Sequence, residues 1–308
     1  MKTVSVINYK GGVGKTTIVA NVAAELGWRG KRVLLLDLDP QASLTFSFFS
    51  VDLWQKSYAE LKTIRNWYDA YINEDQNLEL ASLIVSPPRI NDRISQSGLE
   101  GKVDFVCSHL ALINIDLELA TRLGGGSLRQ TRTNFLRLHS RLLAGLESVK
   151  DRYDFVLIDC PPNFNIVTKT AIVASDRILV PAIQDYLSTL GVEELLRHID
   201  ELVNEFNRFA NEDIGPTYGE IAPSIMGVVP TMVQIYGGEP ISAQAAFING
   251  IRRKGLPVFD THVRRNNTIH GEAPRYGVPV VLNEYTGQTY LTVREELEEL
   301  TTEFLARV

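Results

Sequence analysis

The segment Lys10 to Thr17, KGGVGKTT, follows one residue after the apolar run TVSVIN at residues 3 to 8. Glycines placed between a strand and a helix let backbone N–H groups converge on an anion, because glycine tolerates the required dihedrals and leaves no Cβ in the way. The helix N-terminus adds its dipole. Here Gly11, Gly12, Val13 and Gly14 form such a loop, and Lys15 supplies a charge able to reach the β and γ phosphates of a nucleotide. Thr16 offers a hydroxyl suited to Mg2+, and Thr17 closes the motif.

Carboxylates stand at the ends of two later apolar runs. Asp37 and Asp39 lie in LLLDLDPQAS, and Asp159 ends FVLID before CPP. An aspartate after four apolar residues suits a role in holding Mg2+ through a water or in positioning an attacking water. A plain strand-terminating aspartate is the other reading.

The elements that must position these groups read as an alternation. Residues 3 to 8 predict a buried strand, and Lys15 to Trp28 predict a helix with Ile18, Val22 and Leu26 on one face. Lys31 to Asp37 (KRVLLLD), Tyr153 to Asp159 (YDFVLID), Arg177 to Pro181 (RILVP) and Ile225 to Pro230 (IMGVVP) are continuous apolar runs, as expected of parallel strands covered on both faces. Strands alternating with helices predict an α/β, doubly wound, mostly parallel sheet, whose ligands sit beyond the carboxyl ends of its strands.

One stretch departs from the alternation. From about residue 46 to 101 the chain crowds Phe46, Phe48, Phe49, Trp54, Tyr58, Trp67, Tyr68 and Tyr71 together, with Leu61, Ile64, Tyr68, Tyr71 and Ile72 spaced as one helix face. It reads as an aromatic-rich helical insertion in a single domain spanning 1–308. Its aromatic residues belong either to core helices beside the sheet or to a partner surface. The glycines 124 to 126 predict a turn in a leucine-rich helical stretch.

Composition limits the function classes. The 308 residues include 44% apolar ones, enough for a sizeable core. Against 31 basic residues stand 37 acidic ones, a formal charge of −6, so the surface is not basic all over. Cys107 and Cys160 form no C-x-x-C pair, which leaves no disulfide framework or zinc module in view and fits a reducing cytoplasm. No run of about 18 apolar residues marks a membrane span.

The plain Walker A pattern asks for glycine where Tyr9 stands, and a second lysine, Lys10, occupies the loop. At these residues the sequence resembles the deviant Walker A ATPases, which include the ParA partition proteins, MinD, the nitrogenase iron protein and bacterial tyrosine kinases. The resemblance implies ATP and Mg2+ as cofactors and an ATP-dependent homodimer in which Lys10 reaches the nucleotide held by the other subunit. In a monomer Lys10 would have no obvious work and would only repel Lys15. DLDPQ resembles the first switch of ParA proteins, which assigns Asp39 to the hydrolytic water and leaves Asp37 structural. DCPPNFN resembles the second switch, in which Asp159 senses the γ phosphate and Mg2+.

The likeness continues through VPAIQDYLSTLGVEELL at 180 to 196 and VFDTHVRRNNTIHGEAPRYGVPVV at 258 to 281. The latter is similar to the ParA segment that contacts adenine or ribose, and places Asn266 in that role. Where the family has proline this chain has Arg264, and one residue is inserted before Glu272. ParA proteins bind DNA without sequence preference, which assigns Arg252, Arg253, Lys254, Arg264, Arg265 and Arg275 as candidate contacts to double-stranded DNA. Each reads equally well as a solvated surface charge.

The implied function is partition or positioning of plasmid or chromosomal DNA with a ParB-like or other activating partner, in a cytoplasmic, nucleoid-associated protein. A ParA relative that positions a protein cargo would share the same chemistry. A MinD-like membrane switch fits less well, because the tail LTVREELEELTTEFLARV sets five glutamates against Arg294 and Arg307, which anionic lipid would repel. The start of the chain just before its first strand predicts no N-terminal helix-turn-helix domain. Cys160, directly after Asp159, reads as a buried structural cysteine.

Overall fold

The computed structural model describes residues 1–73, 78–212 and 218–308. The first half of the chain forms β1 (Lys2–Val6), α1 (Lys15–Trp28), β2 (Arg32–Asp37), α2 (Ser43–Phe48), α3 (Val51–Ser57), α4 (Ile64–Asn73), α5 (Pro88–Gln96), β3 (Lys102–Val106), α6 (Ile115–Ala120), α7 (Leu128–His139) and α8 (Arg141–Glu147). Next come β4 (Phe155–Asp159), α9 (Ile166–Val173), β5 (Arg177–Ile183), α10 (Tyr186–Glu212) and β6 (Ser224–Val233). The chain finishes with β7 (Ile235–Tyr236), β8 (Glu239–Pro240), α11 (Ser242–Arg253), β9 (Val263–Arg264), α12 (Asn267–Tyr276) and α13 (Gln288–Arg307).

Seven strands pair in the order β3-β2-β4-β1-β5-β6-β9, each pair parallel. Strands β7 and β8 form a separate antiparallel hairpin. Side chains of a strand alternate between the two faces of the sheet, so a strand covered on both sides must be apolar throughout. Strand β2 shows the result. Leu34 and Leu36 join the core on one face, whereas Val33 and Leu35 join the core on the other. The doubly wound α/β sheet expected from the apolar runs is therefore the fold.

Register brings the chemistry to one edge. Asp159 at the end of β4 lies opposite Val6 of β1 on one side and opposite Asp37 of β2 on the other. The loop that follows β1, the Asp39 loop after β2 and the Pro161–Pro162 loop after β4 consequently leave the sheet side by side.

The aromatic stretch contains α2 to α5, with residues 74–77 outside the described residues. Phe48, Phe49, Trp54, Trp67 and Tyr68 are buried, and Phe46, Tyr58 and Tyr71 pack partly buried against the same cores. These residues are core, not a free partner surface. Leu61 is a correction to the expected helix face: it precedes α4 and is 74% exposed. The stretch also leads into β3, an edge strand that the apolar runs did not predict. Its sequence KVDFV is interrupted by Asp104, which is buried because the Tyr153 hydroxyl donates to it at 2.8 Å and Lys102 pairs with it at 3.0 Å.

The glutamate-rich tail forms α13 and packs along α1, burying Val293, Leu297, Leu300 and Phe304. Its apolar face is spent inside the fold. No helix of the described residues is long and apolar enough to cross a membrane. Cys107 and Cys160 are both buried free thiols.

Candidate functional site: a phosphate loop and its carboxylates

The loop is held from two neighbouring strands. Asn8 donates through Nδ2 to the Pro181 carbonyl of β5 at 2.7 Å and accepts the Lys10 N–H at Oδ1 at 2.9 Å. The Thr231 hydroxyl of β6 donates to the Val13 carbonyl at 2.8 Å. Gly12 and Gly14 have φ of +70° and +86°, the left-handed region that side chains disfavour. A Cβ at Gly11 or Gly12 would meet no atom within 4 Å. Both glycines border a cavity of about 450 Å³, whose other walls include Thr16, Thr17, Asp39, Gln41 and Pro162. An anion seated there faces backbone N–H groups at the start of α1.

Lys15 lies beneath the loop, 7% exposed, and its ammonium donates to the Asn8 and Lys10 carbonyls at 3.2 Å each. Burial holds its pKa below the usual lysine range, opposed by Asp159 and Asp39. Thr16 donates through its hydroxyl to Asp159 Oδ2 at 2.7 Å. The other oxygen, Asp159 Oδ1, is buried without a hydrogen-bond partner among the described residues. Burial raises the Asp159 pKa well above the carboxylate range, and Asp37 and Asp39 raise it further.

Asp37 is a post for the loop that follows β2. Its Oδ2 accepts the Thr45 N–H at 2.8 Å and hydroxyl at 2.7 Å, and its Oδ1 accepts the Asp39 N–H at 3.1 Å. Burial pushes its carboxyl up to about 7 against the pull of those Thr45 bonds. Asp39 itself faces the cavity and accepts the Gln41 N–H at 2.9 Å. The Asp39 carbonyl accepts the Ser108 hydroxyl at 2.7 Å, and the Ser108 carbonyl accepts the Trp54 indole N–H at 3.2 Å. Ala42, with φ of 52°, is a non-glycine residue held in the left-handed region just behind this loop.

The site fits a divalent cation arriving with a nucleotide. An orphaned carboxylate oxygen and a hydroxyl stand together at a cluster of negative charge. No set of three His, Cys, Asp or Glu side chains among the described residues could cage a metal by itself. Mg2+ bound with a nucleotide needs none, since phosphate oxygens and waters fill most of its octahedron.

Lys10 does have a partner within the single chain, contrary to the expectation that it would only repel Lys15. Its ammonium reaches Asp185 Oδ2 at 2.7 Å and the Ser188 hydroxyl at 3.2 Å, both at the start of α10. The preceding residue, Tyr9, bonds through its hydroxyl to His198 Nδ1 at 2.5 Å, and its ring packs edge-on against Phe164 of the loop after β4. Asn8, Asp185 and Ser188 were not singled out by the motif, because their roles depend on contacts between segments far apart in sequence.

A family model described as an AAA domain matches residues 1–211. The chain is 28% identical over 301 residues to the sporulation initiation inhibitor protein Soj of Bacillus subtilis, covering 96% of this chain and 98% of Soj. It is 27% identical over 303 residues to the chromosome partitioning protein ParA of Caulobacter vibrioides, covering 96% and 94%. The chain belongs to the ParA/MinD-type P-loop ATPases. In fold it is also similar to a variant of Cyanothece McdA in complex with ATP, with a TM-score of 0.70 at 20% identity over 99% of this chain and 96% of that one.

In this ParA-type chain the segment expected to contact the base or sugar lines a second cavity, of about 300 Å³. Arg264 and Asn266 both border it. Arg264 is held by Glu296 at 2.6 Å, and Asn266 accepts the Ile269 N–H at 3.0 Å near the start of α12. Met232 and His270, which the motifs did not indicate, line both cavities. Met232 has φ of 54°, a second strained non-glycine position at the site.

The candidate DNA contacts divide into two groups. Arg252 pairs with Asp260, Lys254 with Glu193, and Arg264 with Glu296. Arg253, Arg265 and Arg275 are exposed, with no ion pair among the described residues.

Proposed function

We propose that this ParA-type chain is an ATP- and Mg2+-dependent dimerising switch that binds double-stranded DNA without sequence preference and partitions or positions it with an activating partner protein. The observation that carries this reading is the contrast between the two loop lysines. Lys15 is buried beneath the loop, whereas Lys10 projects outward to a half-exposed Asp185. An ammonium on that outer side can be handed to the phosphates of a facing copy, where it neutralises charge that a single chain leaves uncovered.

When bound, Mg2+ supplies charge neutralisation at the β and γ phosphates. The chain supplies the rest: backbone N–H groups from Gly11 to Thr16 bind the phosphates, Lys15 pairs with them, Thr16 and Asp159 hold the cation's shell, and Asp39 orients the attacking water. Hydrolysis by such a site proceeds through positioning and charge stabilisation. Exposed Arg253, Arg265 and Arg275 offer phosphate contacts that dimerisation doubles.

Sizing chromatography with ATP and Mg2+, with ADP, and without nucleotide, each with and without DNA, tests the proposal. A dimer is expected only with ATP and Mg2+, it should retain DNA in a manner that weakens steeply with salt, and Lys10→Ala should remain monomeric. A wild-type chain that stays monomeric with ATP and Mg2+ would overturn it.

A further inference from the structure

The two cavities adjoin. Gly14, Thr17, Met232 and His270 line both, so they stand at the junction between the phosphate space and the second space. The second space is walled by Ile18, Thr231 and Val263 as well as by Asn266 and Asn267. A nucleotide is ordered phosphate, sugar, base. With phosphates on the loop and the base in the second cavity, a group at the junction faces the sugar.

His270 is the titratable group at this junction, and both of its ring nitrogens are buried without a hydrogen-bond partner among the described residues. The Arg264 backbone lies beside the ring and, like Glu296, opposes the lowering of its pKa. Burial lowers the pKa of His270, with Glu296 opposing, so the ring is neutral and carries one donor and one acceptor. Buried polar groups are normally satisfied, and two orphans on a ring that lines both cavities call for a ligand that satisfies them.

We infer that His270 is a specificity-determining residue that grips the ribose hydroxyls of the bound nucleotide. A sugar hydroxyl both donates and accepts, so it satisfies either ring nitrogen whichever carries the proton. An adenine edge presents a fixed donor and acceptor pattern and lacks that tolerance. A site that hydrogen-bonds a hydroxyl rejects the analogue lacking it, because its own polar group is then left buried and unpaired. This inference rests on the reading of the loop as an ATP site.

Calorimetric titration of the full chain with ATP, 2′-deoxy-ATP and 3′-deoxy-ATP in Mg2+ tests it, on wild type, His270→Phe and His270→Asn, with thermal melts to check folding. Wild type should favour ATP over at least one deoxy analogue by about tenfold or more. His270→Phe should weaken ATP while leaving that analogue nearly unchanged, so that the preference collapses; His270→Asn should keep part of it. A merely structural histidine would weaken all three nucleotides together. Wild type that binds ATP with no sugar preference, or variants that keep the full preference, would overturn the inference and leave the ATP site standing. Wild type that binds no ATP at all would overturn both.

Discussion

The ammonium of Lys10 lies 2.7 Å from Asp185 Oδ2, joining the phosphate loop to the first turn of α10. The pair is half exposed on both sides, and such ion pairs contribute only about 0–1 kcal/mol. It is strong enough to park Lys10 and weak enough to release it. One such pair is released in each of the two subunits, so Asp185→Asn should shift the ATP-dependent monomer–dimer equilibrium toward dimer by no more than about thirtyfold, measured by sedimentation equilibrium. A loss of dimer would show instead that Asp185 acts across the interface.

Asp39 and Lys15 should separate binding from turnover. Lys15→Ala removes the buried cation beneath the loop and should abolish ATP binding. Asp39→Ala leaves the loop, Lys15 and Thr16 in place, so it should bind ATP and dimerise while its turnover falls by about a hundredfold or more. Nucleotide binding by filtration and phosphate release on the same preparations compare the two. Normal turnover by Asp39→Ala would remove that residue from the mechanism.

The buried carboxylate of Asp37 links stability to pH. Its folded-state pKa is pushed from 3.8 to about 7, so the folded chain holds a proton that the unfolded chain releases at lower pH. That contribution is fully present below about 3.8 and is lost as pH rises through about 7, a swing of about 4 kcal/mol. Asp37→Asn should flatten the fall in unfolding free energy between pH 4 and 7, followed by urea titration at a series of pH values. Parallel slopes for variant and wild type would assign the titration elsewhere.

Asp159 should show function opposed to stability. Its Oδ1 is buried without a partner and faces the fields of Asp37 and Asp39. Asp159→Asn removes a group whose ionisation burial and Asp37 oppose, and should raise the melting temperature of the nucleotide-free chain, most at alkaline pH where the carboxyl would have to ionise. The same variant should lose most of the additional stabilisation that ATP with Mg2+ gives wild type. Differential scanning calorimetry with and without the nucleotide reads both effects, and a lower melting temperature for the free variant would contradict the first.

The strands that carry the site were legible because their residues are buried on both faces, which leaves unbroken apolar runs. Strand β3 was not, since Asp104 interrupts it and is buried through partners that no local pattern shows, Ser86, Tyr153 and Lys102. Strand β9 has two residues and exists only by pairing with β6. Within the site, Lys15, Thr16 and Asp159 could be read from local spacing, because loop, helix and strand end each have a local signature. Asp185 could not: it meets Lys10 across 175 residues, and no spacing rule spans that distance. His270 is likewise placed by the packing of α12 and not by a motif.

The hydrogen bonds from Trp54 to Ser108 and from Ser108 to Asp39 give the chain an optical reporter of the loop that carries Asp39. An indole bonded two steps from Asp39 changes its surroundings whenever that loop moves, whereas Trp28 and Trp67 sit on other elements. Emission from Trp54, with the other two tryptophans replaced, would follow any rearrangement of that loop on adding ATP and Mg2+ in real time without an added dye.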